Sequence, residues 1–239
     1  MKTILESLRG GLVVSCQAPI DSPLHNAEVI AAIASAALNR GAAGVRIDTP
    51  SHIQAVRSRC ATQSLAPGEY RPIIGLWKQV IPPSAVYITP QFHHAEAVSR
   101  AGSDIIAVDA TQRPRPGGET LAQLIQHIHN RLGKAVMADV DTLDNALRAV
   151  EAGADCVGTT LYGYTEETQN YAPPGFDLLQ AMVAQCPVPV ICEGGIASPA
   201  QAHQALALGA YAVVVGTAIT GIDSLVMGYL KAIEQPNRA

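Results

Sequence analysis

Short runs of Val, Ile, Ala and Leu recur along the chain, and between them lie longer segments in which apolar residues return every three or four positions. The runs fall at 11–17, 44–48, 72–78, 105–110, 135–140, 156–160, 188–193 and 212–217. Each is almost wholly apolar, as a parallel strand covered on both faces is. The intervening segments, among them 26–39, 119–131, 143–152 and 199–208, have the amphipathic period of helices. Thr142 precedes Leu143, and Ser198 precedes a proline at the first helical position, both of them helix-start signals. Gly41, Gly102, Gly153 and Gly209 each stand after a helix and before a strand, where a left-handed C-terminal residue is wanted. Eight strand–helix units predict an α/β fold, a (β/α)8 TIM barrel with a short N-terminal helix over 3–8. No linker or shift of composition interrupts the pattern, so residues 1–239 are expected to form one domain.

In a barrel of this kind the chemistry gathers at the C-terminal ends of the strands. The polar residues there are Gln17, Arg46, Asp48, Lys78, Asp109, Asp139, Asp141, Thr159, Thr160 and Glu193. Lys78 closes the apolar run 72–78 and is expected to be buried. Burial disfavours an ammonium, so such a lysine is suited to act as a base or a Schiff-base nucleophile. The alternative is a stem packed on the barrel with its head in solvent. The other lysines, at 2, 134 and 231, fall in terminal helices or on the stability face. Arg46 could equally pair with Asp48 or Asp109 as a structural ion pair. Gly194 and Gly195 follow the seventh run, and Gly216 and Thr217 the eighth. Glycine loops at these two positions let backbone N–H groups approach a phosphate at the start of a short helix.

Charge and composition narrow the class further. The 239 residues are 48% hydrophobic and 15% charged, with a net charge of −4 and no basic block. Nucleic acid and anionic membrane surfaces are therefore not expected partners. The apolar runs are too short to span a membrane. Glu6 and Arg9 interrupt the apolar core a signal peptide would need. Five scattered cysteines without a C-x-x-C pair suggest a reduced, cytoplasmic protein. Seven histidines show no metal-ligand spacing, and no metal is expected.

Several segments resemble the N-acetylmannosamine-6-phosphate 2-epimerase family, from about residue 10 to 220. They are Gly-Leu-Val-Val-Ser-Cys-Gln-Ala at 11–18, Gly-Val-Arg at 44–46, Ile-Gly-Leu-Trp-Lys at 74–78 and Val-Tyr-Ile-Thr-Pro at 86–90. Asp-Ala-Thr-Gln-Arg-Pro at 109–114, Met-Ala-Asp-Val at 137–140, Gly-Thr-Thr-Leu-Tyr-Gly-Tyr-Thr at 158–165, Val-Ile-Cys-Glu-Gly at 190–194 and Val-Val-Gly-Thr-Ala-Ile-Thr at 214–220 complete the set. The resemblance implies a phosphate-binding barrel that inverts C2 of N-acetylmannosamine 6-phosphate without a cofactor, in sialic acid catabolism. It makes Lys78 the acid/base at C2 and Glu193 its partner, with Gln17, Arg46 and Asp139 on the acetamido and hydroxyl groups. Thr159 is counted with these substrate-facing residues. A phosphosugar is the expected ligand and a homodimer the expected assembly. The chain departs from the family in carrying Gly195, where a basic residue is frequent, and Gly221, where arginine is usual. An arginine restored at 221 is expected to tighten phosphate binding if the loop accepts it. A Schiff-base aldolase and a non-catalytic phosphosugar-binding barrel are the alternative readings.

Overall fold

The computed structural model describes residues 2–60 and 70–234. Each apolar run forms a strand: β1 (Leu12–Cys16), β2 (Gly44–Asp48), β3 (Ile73–Leu76), β4 (Ile105–Asp109), β5 (Ala135–Asp139), β6 (Cys156–Gly158), β7 (Val190–Glu193) and β8 (Ala212–Val215). All neighbours are parallel, and β8 pairs back with β1, so the sheet closes into a barrel in sequence order. Around it lie α2 (Ala27–Asn39), α3 (Pro50–Cys60), α4 (Phe92–Arg100), α5 (Leu121–His127), α6 (Leu143–Glu151), α7 (Phe176–Gln185) and α8 (Pro199–Ala207), after a leading α1 (Lys2–Glu6).

Side chains alternate along each strand, which divides the core in two. Val13, Ile74, Leu76, Ala107, Met137, Ile191 and Val214 fill the barrel interior. Val14, Val45, Val108, Val136, Val157 and Val213 pack outward beneath the helices. Leu5 and Leu8 close the N-terminal end of the barrel. The four αβ-loop glycines take the left-handed conformation, with φ of 94° at Gly41, 105° at Gly102, 101° at Gly153 and 98° at Gly209.

The structure corrects the sequence reading at two places, β3 and the helix after residue 119. β3 ends at Leu76, so Trp77 and Lys78 leave the barrel wall and Lys78 forms an isolated antiparallel bridge with Ile88. The helix expected over 119–131 begins only after Thr120, whose side chain accepts from Gln123 N–H in a capping box, and it continues as a π-turn over Ile128–Leu132. After β8 the chain makes a single turn, α9 (Thr217–Thr220), and then α10 (Ile222–Glu234), which buries none of its residues. Ile222, Leu225, Val226, Met227, Tyr229, Leu230 and Ile233 are all exposed on it. Among the described residues no helix is long and apolar enough to cross a membrane.

Candidate active site

The C-terminal mouth of the barrel holds a cavity of about 1210 Å³, lined by Gln17, Arg46, Asp48, Lys78, Thr160 and Glu193 together with glycines of the last two loops. The alternation that fills the interior with apolar residues lower down also aims the polar ones. Arg46 lies on β2 opposite Ile74, and Glu193 on β7 opposite Val214. Gln17 continues the inward parity of Val13 and Ser15, and Lys78 that of Ile74 and Leu76.

Arg46 sits at the floor, only 1% exposed. Its Nη1 and Nη2 donate to Asp139 Oδ1 at 3.1 Å and Oδ2 at 2.6 Å, and Nη1 also meets Glu193 Oε2 at 2.8 Å. The structural partner of Arg46 is thus the pair Asp139 and Glu193. Asp48 and Asp109 are engaged elsewhere. Asp48 accepts the Lys78 backbone N–H at 3.0 Å, and Asp109 is held by Arg113 at 2.7 Å. Thr160 Oγ1 donates toward Asp139 Oδ1 at 2.6 Å and Glu193 Oε2 at 3.2 Å, closing the network. Burial opposes the charge on Arg46, but attraction to Asp139 and Glu193 overcomes it and holds the guanidinium protonated. Burial also pushes the Glu193 carboxyl up to about 7. Asp139 adds to that rise, while Arg46, Thr160 and Lys78 oppose it.

Lys78 differs from its expected placement. It is exposed at the mouth rather than buried at a strand end, because the chain has already left the sheet at Trp77. Its Nζ donates to Gln17 Oε1 at 2.7 Å, and Gln17 Nε2 in turn donates to Ser15 Oγ at 2.8 Å. Lys78 Nζ is therefore aimed by the neutral side-chain amide of Gln17.

Asp139 and Thr159 lie behind the cavity wall. Asp139 is fully buried against Arg46 and Thr160. The Thr159 side chain spans two strands, donating to Glu193 C=O at 2.8 Å and accepting Glu193 N–H at 3.0 Å. The cavity-lining threonine is Thr160. Strand parity contains the signal for it, since Cys156, Gly158 and Thr160 alternate on the interior side. The same parity on β2 marks Asp48 alongside Arg46.

Gly194, Gly195, Gly216 and Thr217 all line the mouth beside Gly221. Thr217 opens α9, where no preceding turn offers its N–H an acceptor. The two departures from the family pattern have steric reasons. Gly195 has φ of 70°, and a Cβ there would lie 2.5 Å from Pro173 Cβ. At Gly221 a Cβ would lie 2.8 Å from Thr217 Cα and 3.0 Å from Thr217 O, which are backbone atoms. The loop does not accept an arginine at 221 as it stands.

Residues 30–235 match the family described as "Putative N-acetylmannosamine-6-phosphate epimerase". A protein of Synechococcus elongatus named "Putative N-acetylmannosamine-6-phosphate 2-epimerase" is 59% identical over 230 residues, covering 96% of each chain. One of the same name from Thermosynechococcus vestitus is 59% identical over 227 residues, 95% of each. The solved N-acetylmannosamine-6-phosphate 2-epimerase of Clostridium perfringens superposes with a TM-score of 0.88 at 36% identity, over 96% of both chains.

Proposed function

We propose, for a chain that belongs to the N-acetylmannosamine-6-phosphate 2-epimerase family, that it interconverts N-acetylmannosamine 6-phosphate and N-acetylglucosamine 6-phosphate by moving the proton at C2. The observation that carries this reading is the convergence of Lys78 and the Arg46–Glu193 pair on one cavity at the barrel mouth.

The C2 hydrogen is acidic only when C1 is a carbonyl, so the sugar ring has to open first. Glu193, whose carboxyl is pushed up to about 7 by its burial, exchanges its proton near neutral pH and is suited to give one to the ring oxygen and to take one from the C1 hydroxyl. Lys78, acting as the base, then removes the C2 proton, leaving a C1–C2 enolate whose negative oxygen lies within the field of Arg46. Once the planar enolate has turned about its C2–C3 bond to present its other face, the protonated Lys78 returns a proton to C2, which inverts the centre and restores the amine. Gln17 holds Nζ in line through both transfers. In this reading Asp139 acts through Arg46 and Thr159 through the Glu193 backbone. The phosphate is held by backbone N–H groups of the loops at Gly194–Gly195 and Gly216–Thr217. No step requires a cofactor.

We further infer that residues 1–239 work as one domain in the cytoplasm, in the catabolism of sialic acid. A net charge of −4 offers nucleic acid no attraction. The apolar residues of α10 supply a surface for a homodimer.

The decisive experiment is turnover of N-acetylmannosamine 6-phosphate in D₂O, followed by NMR. The product is expected to carry deuterium at C2, and Lys78→Ala is expected to bind the phosphosugar yet lose at least about a hundredfold in turnover. Retention of most activity by Lys78→Ala refutes the role given to this lysine. An adduct trapped by borohydride would transfer the reading to a Schiff-base aldolase, and binding without turnover to a non-catalytic barrel.

A further inference from the structure

Two segments singled out in the sequence, 86–90 and 109–114, have no part in the chemistry above. In the structure the first lies against the backbone that carries Lys78, and the second holds the first from behind. Residues 77–79 run antiparallel to 87–89, joined by Thr89 N–H to Trp77 C=O at 2.9 Å and Gln79 N–H to Tyr87 C=O at 2.8 Å. Trp77 N–H donates to Thr89 Oγ1 at 3.1 Å, and Lys78 N–H donates to Asp48 Oδ1 at 3.0 Å. Three consecutive N–H groups, at 77, 78 and 79, are thus fixed by three separate acceptors.

The strap over 86–90 is itself held from behind. Asp109 N–H donates to Ile88 C=O at 2.9 Å, and Arg115 reaches both Pro90 C=O at 3.2 Å and Asp109 C=O. The Asp109 carboxylate is closed off by Thr111 Oγ1 and Arg113, each at 2.7 Å.

Two backbone outliers flank this arrangement. Thr89 has φ of 43° and Thr49, next to Asp48, has φ of 77°. Among the described residues these are the non-glycine positions with positive φ, and both carry β-branched side chains, for which this region is unfavourable. Such conformations persist where the surroundings over-determine them, and they collect at functional sites. At Thr89, which is fully buried, the unusual φ places the hydroxyl and the amide of one residue on the two backbone groups of Trp77.

We propose that Thr89 and Asp48 are positioning residues for Lys78: they fix the Cα of a side chain that has left the sheet, so that Nζ and Gln17 meet over the cavity. The inference rests on the catalytic reading of Lys78 given above. A strand residue would inherit its position from the barrel hydrogen bonds. Lys78 lies beyond the end of β3 and takes its position from these acceptors.

The test is a kinetic comparison of variants that keep or delete each acceptor. Thr89→Val keeps the branched shape without the hydroxyl, and Thr89→Ser keeps the hydroxyl. A loosened base costs turnover much more than binding, and a misplacement of about 1 Å is worth about a hundredfold. The valine variant is expected to lose kcat by about ten- to a hundredfold with KM changed less than about threefold, and the serine variant to recover kcat to within about threefold. If Thr89→Val does not fold, Asp48→Ala and Asp48→Asn carry the same test at the cavity edge, the asparagine keeping an Oδ1 acceptor for Lys78 N–H. The proposal is overturned if the acceptor-deleting variants keep kcat within about twofold, if only KM rises, or if the acceptor-keeping variants fall as far as the deleting ones. Lys78→Ala is measured alongside. An active Lys78→Ala defeats the reading of the site itself, whereas an inactive one beside an active, folded Thr89→Val defeats only the positioning role.

Discussion

Replacing Arg46 by methionine separates the two carboxylates of the barrel floor from their common cation. The guanidinium is 1% exposed and makes contacts of 3.1, 2.6 and 2.8 Å to Asp139 and Glu193. Methionine fills similar length without charge, leaving Thr160 as the remaining side-chain donor to both carboxylates. Removing one partner of a buried ion pair costs about 3–5 kcal/mol. At about 2–4 °C per kcal/mol for a chain of this size, the melting temperature should fall by about 6–20 °C at pH 8.5. The loss should also depend on pH. Glu193 is already pushed up to about 7 with the guanidinium present, against about 4.3 in an unfolded chain. A raised folded pKa means that stability is present below the unfolded value and is lost as pH rises toward the folded one. Wild type finishes that loss near pH 7. The variant, with a still higher folded pKa, keeps losing about 1.4 kcal/mol per pH unit beyond it. The gap in melting temperature should therefore be wider at pH 8.5 than at pH 5.5, read by circular dichroism in matched ionic strength. Adding Asp139→Asn to Arg46→Met should recover part of it by removing one unpaired charge. A gap independent of pH, or one that closes on going to pH 8.5, would refute this account of the floor.

Gly221→Arg should weaken rather than strengthen use of the 6-phosphate. The new Cβ displaces the Thr217 backbone, and loss of an N–H contact to an anion raises KM by about ten- to a hundredfold with little change in kcat. A lowered KM would show that the loop adapts. For the proposed homodimer, Val226→Glu combined with Ile233→Glu removes two exposed apolar side chains of α10 from each protomer. Two such side chains are lost from each of two protomers, and at about 1.5–3 kcal/mol apiece the dimer should weaken by more than about 10,000-fold in sedimentation equilibrium. An unchanged dimer would place the interface elsewhere.

Strand–helix alternation, the glycines before the strands and the caps at Thr142 and Ser198 are local signals, and they determined the barrel with nearly every strand in place. They carry that information because a parallel strand covered on both faces must be apolar throughout, and because helix ends need caps whatever the fold. Their place at the C-terminal ends of the strands likewise gathered Gln17, Arg46, Lys78 and Glu193 at one mouth. The sequence did not determine which charges meet there. Arg46 had several carboxylates within plausible reach, and only closure of the barrel, bringing β2, β5 and β7 around a common floor, selected Asp139 and Glu193. Nor did it show that β3 stops at Leu76, since an apolar run looks the same whether its last residues pair with a strand or with a loop. The exposure of Lys78, its hold on Gln17 and the left-handed Thr89 beside it all follow from a contact with residues 87–89, about ten positions away. The clash that forbids a side chain at Gly221 has the same character, because it depends on where the Thr217 backbone stands in space. Hydrophobic pattern fixes which face of an element is buried, but the distances between polar groups exist only once the elements are closed against one another.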